Sequence, residues 1–353
     1  MSKALPPLTA PLNARLWRCG GWSLLYSPRA LVVGTVLALL IVVAAALVMT
    51  LGKMDIGPGH VLAVLLGKGD GGLRDHIILN IRLPRVLAAL FVGVALGVSG
   101  AVFQSVSRNA LGSPDVIGFT TGAATGALGQ IILFGPEPLR VALAAVLGGV
   151  LTAVVVYVLA RQGGGVGSYR LILTGIGVGA VLTALNGLML VRGDLDDAVM
   201  ANLWLAGSLH ARTWDHVWPV MIGTTLLVPV VLAGASALRI IEMGDDIASQ
   251  LGIRVERVRL VMIFAAVVLA ALAVGAAGPI AFVALAAPQL AARLCRGTGL
   301  PVLSAGLMGG VLLLAADLLT QSLPLAVSVP IGRMTGIVGG IYLIWLLTRS
   351  RQL

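Results

Sequence analysis

Ten mostly apolar stretches, each close to the length of a membrane-crossing helix, follow one another along this chain. They lie at about 30–51, 83–105, 115–134, 139–160, 170–191, 215–236, 258–276, 279–295, 301–322 and 331–348. Roughly 20 apolar residues carry a helix across some 30 Å of hydrocarbon. In lipid only helices and closed barrels satisfy their own backbone polar groups. The stretches are continuous rather than alternating, and aromatic residues make up 5% of the chain, which disfavours an outer-membrane barrel with aromatic girdles. Charged residues make up 11%, too few to cover a water-exposed surface. The pattern predicts an all-α polytopic membrane protein of about ten transmembrane helices, with residues 1–29 as a cytoplasmic N-terminal segment and 30–350 as one transmembrane domain.

Charge sets the orientation. Lys3, Arg15, Arg18 and Arg29 precede the first stretch, which is too long for a signal-peptide core and reads as a retained helix. With ten spans both termini share a side, and that side collects 15 of the 24 Lys and Arg residues against five acids. The other side holds nine of each sign, so the formal net charge of +10 sits wholly on one face. The positive-inside rule makes that face cytoplasmic, and nothing in the pattern resembles a nucleic-acid footprint. Cys19 and Cys295 match no metal or redox spacing. The 46 glycines recur at helical spacing, as in Gly118, Gly122 and Gly126, and again in Gly332, Gly336 and Gly340. Such stripes let helices approach closely. Two outer connections are long enough to carry flat amphipathic helices, around His60–Leu66 and Asp197–Leu209.

The motifs sort by chemistry. There is no GxxxxGK[ST] loop and no HExxH, so nucleotide hydrolysis would fall to another subunit. Gly97-Val98-Ser99-Gly100 matches the GxSG of intramembrane proteases, but no histidine falls at membrane depth to activate Ser99. Arg82-Leu83-Pro84-Arg85 opens the second span on the outer side, against the charge trend. Its arginines either anchor lipid phosphates or receive carboxylates of a soluble partner. The cytoplasmic run Glu242-Met243-Gly244-Asp245-Asp246-Ile247, ending in Leu251-Gly252, reads as a short docking helix with Asp245 as N-cap and Gly252 past its C-terminus. Asp317, inside an apolar run, either relays protons or pairs with Arg333.

Taken together, the stretches RLPRVLAALFVGVALGVSGAVFQSVSRNALGSPDVIGFTTGA (82–123), EMGDDIASQLGI (242–253), GPIAFVALAAPQLAARL (278–294), LLLAADLLTQ (312–321) and PIGRMTGIVGGIYLIWLL (330–347) resemble the permease subunits of the iron-siderophore and cobalamin ABC importers, the FecCD type. Within that family the chain looks most like the ferric-enterobactin-type permease. The resemblance covers about residues 30–350. It implies a type II ABC importer permease fold in the bacterial inner membrane and alternating access for a ferric siderophore. It also implies a second permease subunit, a different chain in the favoured arrangement or another copy of this one. Two cytoplasmic ATPases would hold ATP and magnesium, and a periplasmic or lipoprotein binding protein would deliver cargo. The chain itself would bind no cofactor and no metal.

By the same resemblance, Arg82 and Arg85 dock the binding protein and coupling helices at about 240–257 meet the ATPases. Gly164, Gly165 and Ser168 belong to a cytoplasmic gate, and Thr174, Thr183 and Asn186 line the pathway. Two positions depart from the family: Gln289 replaces a usual histidine, and Arg333 stands where PIGV is common. A proton-coupled secondary transporter is the alternative of a different class, with an intramembrane protease behind it.

Overall fold

Each of the ten apolar stretches forms a helix, and the ends fall where proline, glycine or serine interrupts the pattern. In a computed structural model, residues 15–19, 22–52, 54–162, 165–192, 194–296, 300–322 and 329–349 are described. A hairpin of β1 (Arg15–Cys19) and β2 (Trp22–Tyr26), which the sequence pattern does not suggest, precedes α1 (Pro28–Thr50). Helix α1 starts on a local signal: Ser27 accepts the Ala30 amide and Pro28 sits in the first turn. Then come α2 (Pro58–Leu65) and α3 (Leu73–Ile77), the latter running through a π-helical turn (Ile78–Arg82) into α4 (Leu83–Ser107).

Helices α5 (Phe119–Phe134) and α6 (Pro138–Ala160) follow, then the small hairpin β3 (Arg161–Gln162) and β4 (Gly165–Val166), α7 (Ser168–Arg192) and α8 (Leu195–Leu205). The chain ends with α9 (Trp214–Glu242), α10 (Asp245–Gln250), α11 (Val255–Ala277), α12 (Val283–Cys295), α13 (Val302–Ser322) and α14 (Ile331–Arg349). Among the described residues seven segments are long and apolar enough to cross a membrane, whereas α5, α12 and the apolar part of α14 are shorter. Two of these fall short of the expected spans for local reasons. Pro114 and Gly118, at φ +82°, turn the chain before α5, and Phe282, left-handed at φ +68°, marks the start of α12.

Helix α4 is the centre of the bundle, with 78% of its apolar window buried against 17% for α1 and 22% for α7 and α9. Its glycines explain why. A Cβ on Gly93 would lie 2.4 Å from the Gly309 carbonyl oxygen, and one on Gly97 2.2 Å from that of Ala305, so α4 and α13 meet backbone to backbone. A Cβ on Gly100 would lie 1.7 Å from the Ala284 carbonyl oxygen of α12. That carbonyl is free because Pro288, four residues on, has no N–H to offer it. Gln104 of α4 donates to the next carbonyl, Leu285, at 3.0 Å. Gln289, the departure from the family histidine, donates to the Ala110 carbonyl at 2.7 Å and ties α12 to the turn after α4.

One expected glycine stripe is packed and the other is not. Gly122 and Gly126 seat against Gly148 and Ala144 of α6, whereas Gly118 lies in the preceding turn. Of the α14 stripe only Gly332 is enclosed, whereas Gly336 and Gly340 face open space and meet no helix among the described residues. Substituting Gly100 by Val should therefore overpack the α4–α12 contact and cost about 1–3 kcal/mol or more, while Gly340→Ala should be near neutral. Thermal unfolding in detergent checks this, and equal stability of the two variants would refute the close seam.

Candidate functional site

At one end of the bundle a short helix stands on two arginines. Helix α9 ends at Glu242 with Met243 as its C-cap, and Gly244, at φ +133°, opens α10. The docking helix is thus shorter than the expected 242–252 run. Its far end matches the expectation: Gly252 is left-handed at φ +81°, with Gly252 N donating to the Ser249 carbonyl and Ile253 N to that of Ala248. Asp245 makes no cap hydrogen bond, which corrects the expected N-cap. Its carboxylate instead accepts from Arg259 of α11 at 2.8 and 2.9 Å, and from Arg108 at 2.5 Å.

Arg108 is the left-handed C-cap of α4, at φ 49°, and also donates to the Ile241 carbonyl at 2.6 Å. The Arg259 side chain is 5% exposed, so the acid it meets is required rather than ornamental. Burial pushes the Asp245 carboxyl up, but the Arg259 hydrogen bonds and charge, with Arg108, hold it below the usual carboxylate range. Glu256 lies 3.6 Å from Arg259 and accepts from Tyr157 of α6, and Ser105 of α4 donates to Glu242. An open cavity of about 480 Å³ adjoins this cluster, lined among others by Gln104, Ser105, Arg108, Glu242 and Gln289. Met243, Ile247 and Leu251 are exposed, at 69%, 45% and 65%.

At the opposite end the two RLPR arginines are turned inward, which corrects their expected outward presentation as free guanidinium forks. Arg82 is buried and donates to the carbonyls of Met49 (2.6 Å), Thr50 (3.0 Å) and Met54 (2.5 Å), closing the C-terminal end of α1. Arg85 forks onto Asp317, with Nε at 3.1 and 3.2 Å and an NH2 nitrogen at 2.7 Å, and Gln321 donates to the same carboxylate at 2.8 Å. Asp317 is 1% exposed. The expected Asp317–Arg333 pair is therefore replaced by Arg85–Asp317. The antiparallel seam explains it: the register that sets Gly93 on Gly309 sets Arg85 on Asp317 eight residues away. Arg333 is exposed at the start of α14 and makes no ion pair among the described residues.

Residues 37–349 match the model of the FecCD transport family. The chain belongs to this family. It is 44% identical over 304 residues to the ferric enterobactin transport system permease protein FepG of Escherichia coli, covering 85% of this chain and 91% of the relative. It is 35% identical over 334 residues to the iron(3+)-hydroxamate import system permease protein FhuG of Bacillus subtilis, with coverages of 91% and 97%. In three dimensions it is similar to a metal-chelate type ABC transporter in an inward-facing conformation, at TM-score 0.78 and 26% identity, over 91% of this chain and 99% of that one.

The remaining positions that the FecCD resemblance points to are scattered along α7 and the hairpin before it. Gly164 lies outside the described residues, Gly165 pairs with Gln162 in the hairpin, and Ser168 opens α7. Thr174 is half-buried, Thr183 is exposed and donates to the Gly179 carbonyl at 2.8 Å, and Asn186 is buried with an unsatisfied Oδ1. Ser99 is buried and donates to the Ala266 carbonyl at 2.7 Å. Among the described residues no hydrogen bond joins Ser99 to a histidine; His60, His76 and His216 bond Asp75, Asn80 and Thr213 instead. Sequence reasoning missed Arg108, Arg259, Ser105 and Tyr157. The available signal was Glu256 and Arg259 one helical turn apart on the helix after the docking segment.

The Arg85–Asp317 pair yields a stability test. Asp317→Leu or Arg85→Leu alone leaves a charge without its partner and should cost roughly 3–5 kcal/mol, while the double variant should cost less. Chemical unfolding in detergent measures all three. A double variant as unstable as the sum of the singles would show that the two side chains do not compensate each other.

Proposed function

We propose that this FecCD-family chain is the membrane permease subunit of an ATP-binding-cassette importer that brings a ferric siderophore, of catecholate type, into a bacterial cell. The observation that carries the reading is the 44% identity to a ferric enterobactin permease, sustained over 85% of this chain. The likeness to a metal-chelate type ABC transporter supports the mechanism. The chain would lie in the inner membrane with both termini cytoplasmic, as its one-sided excess of arginine suggests. A second permease subunit, different or identical, would complete the pathway, two ATPases would bind ATP and magnesium, and a binding protein would deliver the chelate outside.

In this reading the end that carries α10 faces the cytoplasm, and Met243, Ile247 and Leu251 form the apolar face that enters a cleft on the ATPase. ATP-driven motion of the ATPases then switches the pathway between outward and inward openings. At the outer end Arg82 is spent on carbonyls, so Arg85, its side chain 22% exposed, is the arginine better placed for a carboxylate of the binding protein. Residues 163–168 and the Thr174, Thr183 and Asn186 positions on α7 stand as gate and pathway residues in the same proposal. Proton relay through Asp317 gains no support, because Arg85 and Gln321 hold both carboxylate oxygens.

The ATPase contact is directly testable. Met243→Asp with Leu251→Asp, both at exposed positions, should abolish ATPase co-purification and ferric-siderophore uptake while the permease still folds. Undiminished co-purification would overturn the docking face. Uptake that survives a hydrolysis-dead ATPase but stops with a protonophore would overturn the importer class.

A further inference from the structure

Helix α10 is joined to the bundle by weak backbone connections. Six residues long, it is flanked by Gly244 at φ +133° and Gly252 at φ +81°. Glycine at such angles allows a joint but does not stiffen it. The backbone hydrogen bonds around it are local: Gly244 N donates to the Ile241 carbonyl, Ala248 N to that of Gly244, and Ile253 N to that of Ala248. Besides the buried Ala248, one charged side chain links α10 sideways to the bundle. Asp245, the first residue of α10, meets two arginines from two other helices: Arg108 at the last turn of α4, and Arg259 in the first turns of α11.

The two helices it reaches are the most enclosed of the seven long apolar segments among the described residues, their apolar windows 78% and 72% buried. Helix α4 has 25 residues, and at 1.5 Å per residue it spans roughly 37 Å. Its glycine contacts with α12 and α13 lock it into the core, and its far end holds Asp317 through Arg85. A rigid rod thus connects an ion pair at the α10 end to an ion pair at the opposite end. Arg259 is buried, so its bond to Asp245 is shielded from solvent on one side, unlike an ordinary surface pair. Glu256 and Tyr157 extend the same cluster to α6.

We infer that Asp245 is a positioning residue which transmits displacement of α10 to the transmembrane bundle, by holding α4 through Arg108 and α11 through Arg259. The inference rests on the proposed ATPase contact of α10. The half-exposed carboxylate meets the two arginines of the bundle, while Ile247 of α10 and the flanking Met243 and Leu251 are exposed, so the short segment 243–251 carries both a docking face and a transmitting contact. Loss of the carboxylate leaves the docking face in place and disconnects it from the helices that must move.

The test uses the full complex, with ATPases and binding protein, in proteoliposomes, and reads ferric siderophore imported per ATP hydrolysed. Asp245→Asn should keep the ATPases bound and hydrolysing, while the transport ratio falls at least about fivefold, the low end of ordinary coupling between sites. Arg108→Gln, on a different helix, should reproduce the fall, and Asp245→Glu should restore most of the ratio. A purely structural role would lower the melting temperature and leave the ratio unchanged, and that result overturns the inference. Loss of the ATPases from the Asp245→Asn complex also overturns it, since the carboxylate would then belong to the docking face. If Asp245→Asn does not fold, Arg108→Gln decides alone. Failure of the docking reading would register separately, as ATPases retained by the Met243→Asp, Leu251→Asp variant.

Discussion

The backbone contact between α4 and α13 sets the terms for much of this molecule. In lipid, apolar side chains gain nothing by leaving one hydrocarbon environment for another, so helices associate through close van der Waals packing. Gly93 and Gly97 bring α4 against the Gly309 and Ala305 backbone, and Gly100 does the same against α12, where Pro288 has freed a carbonyl. Once that register is set, the charged residues further along the seam have no choice of neighbour. Arg85 meets Asp317 because eight residues from the glycine contact is where the antiparallel helices bring them together.

Both ends of α4 close on arginine, and the two ends solve different problems. At the end away from α10 Arg82 gathers carbonyls left open where α1 stops, and Arg85 neutralises an acid that is 1% exposed. An isolated buried charge is costly, so each guanidinium is spent on a group that would otherwise lie unsatisfied. At the α10 end Arg108 and Arg259 converge on one carboxylate that is half exposed. The first arrangement staples helices together, whereas the second reaches a short helix whose backbone joints are glycines. In a chain of the FecCD transport family, these contacts are where the mechanical work proposed above would pass.

Much of the fold was legible because helix formation in lipid is a local matter. Ser27-Pro28 starts α1, the left-handed Gly252 ends α10, and a flat helix was expected near each of α2 and α8. The site was only partly legible. The exposed apolar residues Met243, Ile247 and Leu251 follow from their sequence pattern. The role of Asp245 did not, because its competing partners come from residues 14 and 137 positions away. The α14 stripe misled for the same reason: spacing shows that Gly336 and Gly340 could seat a helix, but no helix among the described residues meets them.

The sequence by itself determined the class, the ten helical segments, the one-sided charge and the family motifs, since hydrophobic length, charge count and turn residues each act through near neighbours. The tertiary structure alone decided which charge neutralises which. It paired Arg85 with Asp317 rather than Arg333, spent Arg82 on carbonyls, and turned Asp245 from a presumed cap into a bridge between α4 and α11. Ion pairing depends on distances of a few ångströms, and for Arg85 and Asp317 those are set by glycine contacts between helices more than 200 residues apart in the chain.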